Sequence, residues 1–179
     1  MKGVVYNLLE EAVVEKFGAD TWDDLLDDAG VTGAYTSLGN YSDKEMIALV
    51  DAAAAKLDMT SGDVLRWFGE QAMPLLKQRY PDFFLPHSSS RSFVLSVNNI
   101  IHPEVRKLYP GAKCPDFHFR ETPEGNVTMG YKSSRRMCDL AHGFIKGAAG
   151  IFCEKVDITH HTCMNHGADK CLMEIKWAP

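Results

Sequence analysis

Two sets of residues in this sequence have the types and spacing to do chemistry. Four of the five cysteines fall after residue 137, and Cys138, Cys163 and Cys171, with His160 or His161, would complete a tetrahedral zinc site of three thiolates and one imidazole. The spacing is not that of a standard finger, so buried free thiols and a redox-active pair stand beside zinc as readings. Tyr131, Ser133 and Arg135 form the second set. At a strand end alternate residues share one side, which lets two hydroxyls and a guanidinium fork converge on carboxylates; a solvated basic turn is the plainer alternative. Upstream, His102 lies inside a segment from Ser92 to Tyr109 that is apolar on one side. A neutral imidazole there can bind a metal through one ring nitrogen while the other donates to an acceptor, or can be a half-buried histidine bonded to backbone.

The elements that must position these residues are read from periodicity. Up to about residue 110 apolar residues recur at helical spacing, as in Met46, Ile47, Leu49, Val50, Ala53 and Leu57, which predicts helices. Ser42 with Glu45 reads as a capping box, Thr21 with Asp24 as an acidic variant, and Gly30 as a C-terminal cap. Pro74 should kink or end a helix running from about Asp63. Pro103 should place a kink or boundary at His102, because it removes a hydrogen bond to Asn99. After Tyr109-Pro110-Gly111 the pattern turns to alternation over Asp116 to Glu121, Asn126 to Lys132, Lys155 to His161 and Lys170 to Trp177, with a turn at Pro123 to Asn126 and a helix from Arg136 to Cys153. The expected fold is α+β, a helical N-terminal part packed on a four-stranded antiparallel sheet with helices against it.

A formal net charge of -5 argues against a nucleic-acid partner, whose phosphates need neutralising. No apolar run suits a signal peptide or a bilayer span, so a soluble cytoplasmic protein is expected, with its cysteines as thiols or metal ligands rather than disulfides. The length suits one domain, or two closely packed subdomains, with room for a pocket beside the core.

Taken jointly, several segments resemble the heme nitric oxide/oxygen binding family, which also forms the sensor region of soluble guanylate cyclase. They are the Tyr-x-Ser-x-Arg pattern at Tyr131, Ser133 and Arg135, the opening Met1-Lys2-Gly3, Ile101-His102-Pro103-Glu104-Val105, and Leu108-Tyr109-Pro110-Gly111 through Pro115. They fall in the family's order and cover essentially the whole chain. The resemblance implies one domain over 1–179, with a distal helical subdomain of about 1–65, a proximal helix and sheet subdomain of about 66–179, and a b-type heme between them. It implies that His102 is the axial iron ligand, that Tyr131, Ser133 and Arg135 hold the heme propionates, and that Pro115 packs against the porphyrin and helps distort it. The absence of a Cys-x-x-Cys-His sequence excludes the common covalent heme attachment.

In the family's oxygen binders a distal tyrosine follows the propionate motif, and the matching position here is Leu140. Phe144 shares its helical face, with Val5 and Leu9 expected opposite on the first helix. Bound dioxygen needs a distal donor far more than nitric oxide does, so this apolar pocket implies a nitric oxide sensor, which would also take carbon monoxide. Some bacterial members look similar at His-x-Thr-Cys, which selects His160 for the zinc, although strict strand alternation would put His161 beside Cys163. Cys114 and Cys153 receive no role. The chain has no room for an output domain, so the resemblance implies a separate partner, a sensor histidine kinase or a cyclic-di-GMP enzyme, and no catalysis by the chain itself. Two rivals remain: a zinc or thiol redox sensor or enzyme built on the C-terminal cysteines and histidine, and a module that binds another apolar small molecule.

Overall fold

The structure, a computed structural model, describes residues 1–178, so the last residue of the expected second subdomain lies outside it. The N-terminal part is helical, as the periodicity predicts: α1 (Gly3–Phe17), α2 (Ala19–Ala29), α3 (Asp43–Leu57) and α4 (Ser61–Arg79). Gly3 opens α1 because the loop after α2 crosses over it; a Cβ there would lie 1.9 Å from the Thr36 carbonyl oxygen. Gly30 ends α2 in the left-handed region at φ 65°, the conformation that favours glycine. Thr21 does not start that helix but sits inside it, its hydroxyl donating to the Phe17 carbonyl at 3.0 Å. Ser42 caps α3 by accepting from the Lys44 N–H, whereas the Glu45 carboxylate, instead of closing the box, accepts from the Tyr35 hydroxyl at 2.9 Å. On α3, Met46, Leu49, Val50 and Ala53 are buried, but Ile47 and Leu57 are exposed, so the buried stripe is narrower than expected.

Pro74 does not end α4, which continues to Arg79. A proline leaves the carbonyl four residues back without its helical donor. Here that carbonyl, of Glu70, lies against α7 (Cys138–Ile151), where a Cβ on Gly147 would come within 2.7 Å of it. The same crossing brings Gly69 and Gly143 backbone to backbone: a Cβ on Gly143 would lie 2.1 Å from the Arg66 carbonyl oxygen.

The segment carrying His102 is not one helix. It comprises α5 (Ser90–Leu95), a π turn over Val97–Ile101, and α6 (His102–Leu108) with Pro103 in its first turn. The expected boundary is therefore present. His102 itself keeps helical angles, φ -64° and ψ -39°, so the proline's demand is absorbed in the turn before it.

Strands β1 (Asp116–Glu121), β2 (Val127–Lys132), β3 (Val156–Thr162) and β4 (Cys171–Trp177) form one antiparallel sheet in the order β1-β2-β4-β3. The α+β class and the four strands are those expected. One hydrophobic cluster joins α1, α2, α3 and the first part of α4, from Tyr6 and Trp22 to Phe68 and Ala72. A second joins the sheet, α5 and α7, from Met73 and Phe93 to Met173 and Ile175. Helices α4 and α7 contribute to both. No helix among the described residues is long and apolar enough to cross a membrane.

Candidate functional site

Between the two clusters lies a cavity of about 330 Å³. Val4, Val5 and Leu8 of α1, Met73 and Leu76 of α4, and Leu140 and Phe144 of α7 line one side; Phe117 and Phe119 of β1, Met129 of β2 and Pro115 line another. Leu9, expected among them, turns into the helical core instead, because it is rotated about 100° from Leu8 on the helix. Leu8, one turn after Val4, takes its place.

Six of the polar residues that reach this cavity are His102, Tyr131, Ser133, Arg135, Tyr80 and Tyr109. The imidazole of His102 packs on Phe117 with ring centroids 5.7 Å apart. Its Nδ1 is the one buried side-chain nitrogen or oxygen among the described residues that lacks a hydrogen-bond partner. An orphaned buried polar atom is costly and calls for an explanation. Burial, followed by the charge of Arg106, pushes the His102 pKa down from its ordinary 6.5 to about 4, so the ring is neutral at pH 7 and can act as a metal ligand.

Tyr131, next to last in β2, is buried, and its hydroxyl accepts from the Met137 N–H at 3.1 Å, which leaves its own proton free to donate. Ser133, Arg135 and Arg136 form a turn before α7, with Arg136 at φ 52°. That turn aims Ser133 and Arg135 at the cavity beside Tyr131. Arg135 is also held by protein, its Nε donating to Asp43 at 2.9 Å and its Nη1 to the Lys113 carbonyl at 2.5 Å. Although burial alone would raise it, the Asp43 pKa is held below its ordinary value by hydrogen bonds from the N-terminal amine and Arg135. The Tyr80 and Tyr109 hydroxyls bond each other, and the Lys2 amine donates to the Leu38 carbonyl at 2.8 Å. The side formed by α1, α4 and α7 is apolar, with Val4, Val5, Leu8, Met73, Leu76, Leu140 and Phe144 on the cavity.

The residues fit a heme: an unpaired neutral imidazole within a largely apolar cavity, and a tyrosine, a serine and an arginine together at its margin, suited to carboxylates. The fold and this cavity define a helix-and-sheet module enclosing a site for an apolar cofactor. Comparison with known proteins gives the family. The family model described as Haem-NO-binding matches residues 2–160. An H-NOX protein from Shewanella oneidensis, solved in the Fe(II)NO ligation state, superposes with a TM-score of 0.93 at 33% identity, with all of both chains covered. An Fe(II) unliganded H-NOX protein from K. algicida gives 0.88 at 28% identity, covering 100% of this chain and 97% of that one. Soluble guanylate cyclase gcy-32 of Caenorhabditis elegans is 23% identical over 155 residues, 83% of this chain. The chain spans 23% of the length of that cyclase. This chain belongs to the Haem-NO-binding family and is a heme-based gas-sensor domain.

The cysteines form a second group on the far side of α7. The thiols of Cys138, Cys163 and Cys171 lie within 4.8 Å of one another, all buried. Cys138 and Leu140, about 200° apart on the helix, serve the two faces separately. His160 does not join the thiols; its Nε2 meets Nδ1 of His142, one turn beyond Cys138, at 3.0 Å. His161 points outward to Glu174. The strict alternation that would pair His161 with Cys163 fails because β3 carries a bulge between His160 and Thr162; His160 is on the inner side with Val156 and Ile158 by alternation, and the bulge turns Cys163 to that side as well. His142 was not legible as a partner, since it reads as one more residue of an α7 that is buried on most sides.

Proposed function

We propose that the chain senses nitric oxide at a ferrous heme held by His102, with Tyr131, Ser133 and Arg135 on the propionates and Pro115 against the ring. The observation that carries this reading is the unpaired, buried Nδ1 of His102 in the wall of an otherwise apolar cavity. Bound there, heme would supply a ferrous iron that can take up a diatomic gas, and nitric oxide would weaken the bond between that iron and His102. Everything else is the work of this chain. Val5, Leu140 and Phe144, which line the cavity, would keep donors away from the bound gas and so withhold the hydrogen bond that dioxygen requires. His102 begins α6, so a change in what its imidazole binds would change what holds that helix and would let the helical part shift against the sheet part. A partner that binds one arrangement better than the other then receives the signal; a separate histidine kinase or cyclic-di-GMP enzyme is the partner we propose. Gas titration of the reduced protein tests the selectivity: tight nitric oxide and carbon monoxide binding with no oxygen complex is expected, and a stable oxygen complex in air would reject it.

A second reading concerns the thiols, proposed as three ligands of a structural zinc with His160 as the fourth. Tetrahedral zinc with ligand bonds of about 2.3 Å puts its sulfurs about 3.8 Å apart. The Cys138–Cys163 and Cys163–Cys171 separations are 3.5 and 4.0 Å. Burial, then the Cys171 thiol, push the Cys138 pKa far above its ordinary value, so without a cation this thiol keeps its proton. His160 must leave His142 to complete the set. Chelator-free purification followed by metal analysis should find zinc in stoichiometric amount, lost in Cys171→Ser; zinc-free wild-type protein would count against it.

A further inference from the structure

Between α5 and α6 the backbone hydrogen bonds slip out of the α pattern. The Ser96 carbonyl accepts from the N–H groups of Asn99 at 3.1 Å, Ile100 at 2.8 Å and Ile101 at 3.4 Å, and the His102 N–H reaches back to Val97. A turn that holds one extra residue rotates all that follows by about 100° relative to the helix before it. The direction in which the imidazole leaves its helix is therefore set by this turn. The turn is also short of bonds of its own, because the nitrogen of Pro103 has no hydrogen to return to Asn98 or Asn99. Something outside the helix must hold the slipped register.

Asn98 lies in the turn, and its carboxamide meets the backbone of Phe117 at both ends. Its Nδ2 donates to the Phe117 carbonyl, and the Phe117 N–H donates to its Oδ1 at 3.3 Å. Strand β1 is an edge of the sheet, so backbone groups on its outer side have no neighbouring strand. The carboxamide stands in for the peptide unit such a strand would offer. Phe117 also carries the ring on which His102 rests and lies 5.8 Å from the ring of Tyr131. One side chain thus ties the turn that aims His102 to the residue that supports it.

We propose that Asn98 is a positioning residue for His102, holding the π turn in its slipped register by pairing with the Phe117 backbone and so fixing the imidazole's orientation. The inference rests on the reading of His102 as the iron ligand. Two substitutions separate the bonds. Asn98→Ala removes both, whereas Asn98→Asp keeps an acceptor for the Phe117 N–H and loses the donor to its carbonyl.

The test uses the heme-loaded ferrous protein, with the iron–histidine stretching band read by resonance Raman and amide hydrogen exchange read residue by residue. Asn98→Ala should keep its heme and Soret band, while the iron–histidine band shifts and broadens and the Phe117 amide exchanges about tenfold faster or more. Asn98→Asp should keep Phe117 protected and give a band between the two. If Asn98→Ala does not fold, Asn98→Asp carries the same comparison against wild type. Bands that superpose on wild type in both variants overturn the proposal, even where the melting temperature falls, because a merely structural side chain would move only the latter. Wild-type protein that takes up no heme, or whose band survives His102→Gly, overturns the ligand reading and this inference with it. That outcome is read without any change at position 98, so the two failures are distinguishable.

Discussion

A histidine whose pKa is pushed down to about 4 by burial makes the chain's stability depend on pH in a defined direction. The unfolded chain takes up a proton near pH 6.5 and the folded ring does not until about pH 4, so stability is full above pH 6.5 and is lost as pH falls toward 4. His142, lowered to about 4 by burial and Arg66, adds to the same slope. Melting temperature of the heme-free protein measured across this window should therefore fall with pH, and His102→Phe should make the slope shallower; an unchanged slope would show that His102 is not the buried neutral ring described. At this scale spacing alone left His102 open between a ligand and an ordinary half-buried histidine, and Tyr131, Ser133 and Arg135 open between a carboxylate site and a solvated turn; the family resemblance is what singles them out. What composition and spacing do not carry is long-range pairing. Asp43 on Arg135, His142 on His160, and the missing partner of His102 Nδ1 are properties of the folded chain. Leu9 was misplaced by one step around α1, a rotation that periodicity resolves poorly where both Leu8 and Leu9 are buried.

At the level of elements, the α4–α7 crossing sets the width of the cavity, since Met73, Leu76, Leu140 and Phe144 all project from it. Gly143 sits where the two backbones touch. Adding a methyl there, 2.1 Å from the Arg66 carbonyl oxygen, forces the helices apart. Gly143→Ala should cost about 1–3 kcal/mol as overpacking. In a chain of this size that lowers the melting temperature by roughly 2–12 °C. Calorimetry or a circular-dichroism melt reads it, and an unchanged melt would mean that the helices do not pack this closely. Alternation and turn residues predicted all four strands to within a residue or two, because each has one face on the core. The exceptions have tertiary causes. Pro74 reads as a kink or an end, yet α4 continues to Arg79, with α7 covering the carbonyl that the proline frees. The π turn was invisible because its register is held by Phe117, a residue distant in sequence.

For the whole molecule, the cavity falls between a helical cluster and a sheet cluster, and α6, which starts at His102, contributes to its wall. Parts arranged this way can respond to a change at one bond by moving against each other, provided a ligand distinguishes the two arrangements. The family was legible because its motifs recur in order along the chain; the partner was not, since no recognition surface is written in a motif. If His102 is the attachment point of the sensor, it is also the origin of its output, and His102→Gly should leave a heme supplied with free imidazole bound but unable to change the activity of the partner. The most direct test of the central claim is the absorption and resonance Raman spectrum of the reduced wild-type protein beside that of His102→Gly. A strong Soret band with an iron–histidine stretch in wild type, and loss of that stretch in the variant, is the predicted result. A colourless wild-type protein that refuses added hemin, or an iron–histidine stretch that persists without His102, would contradict it.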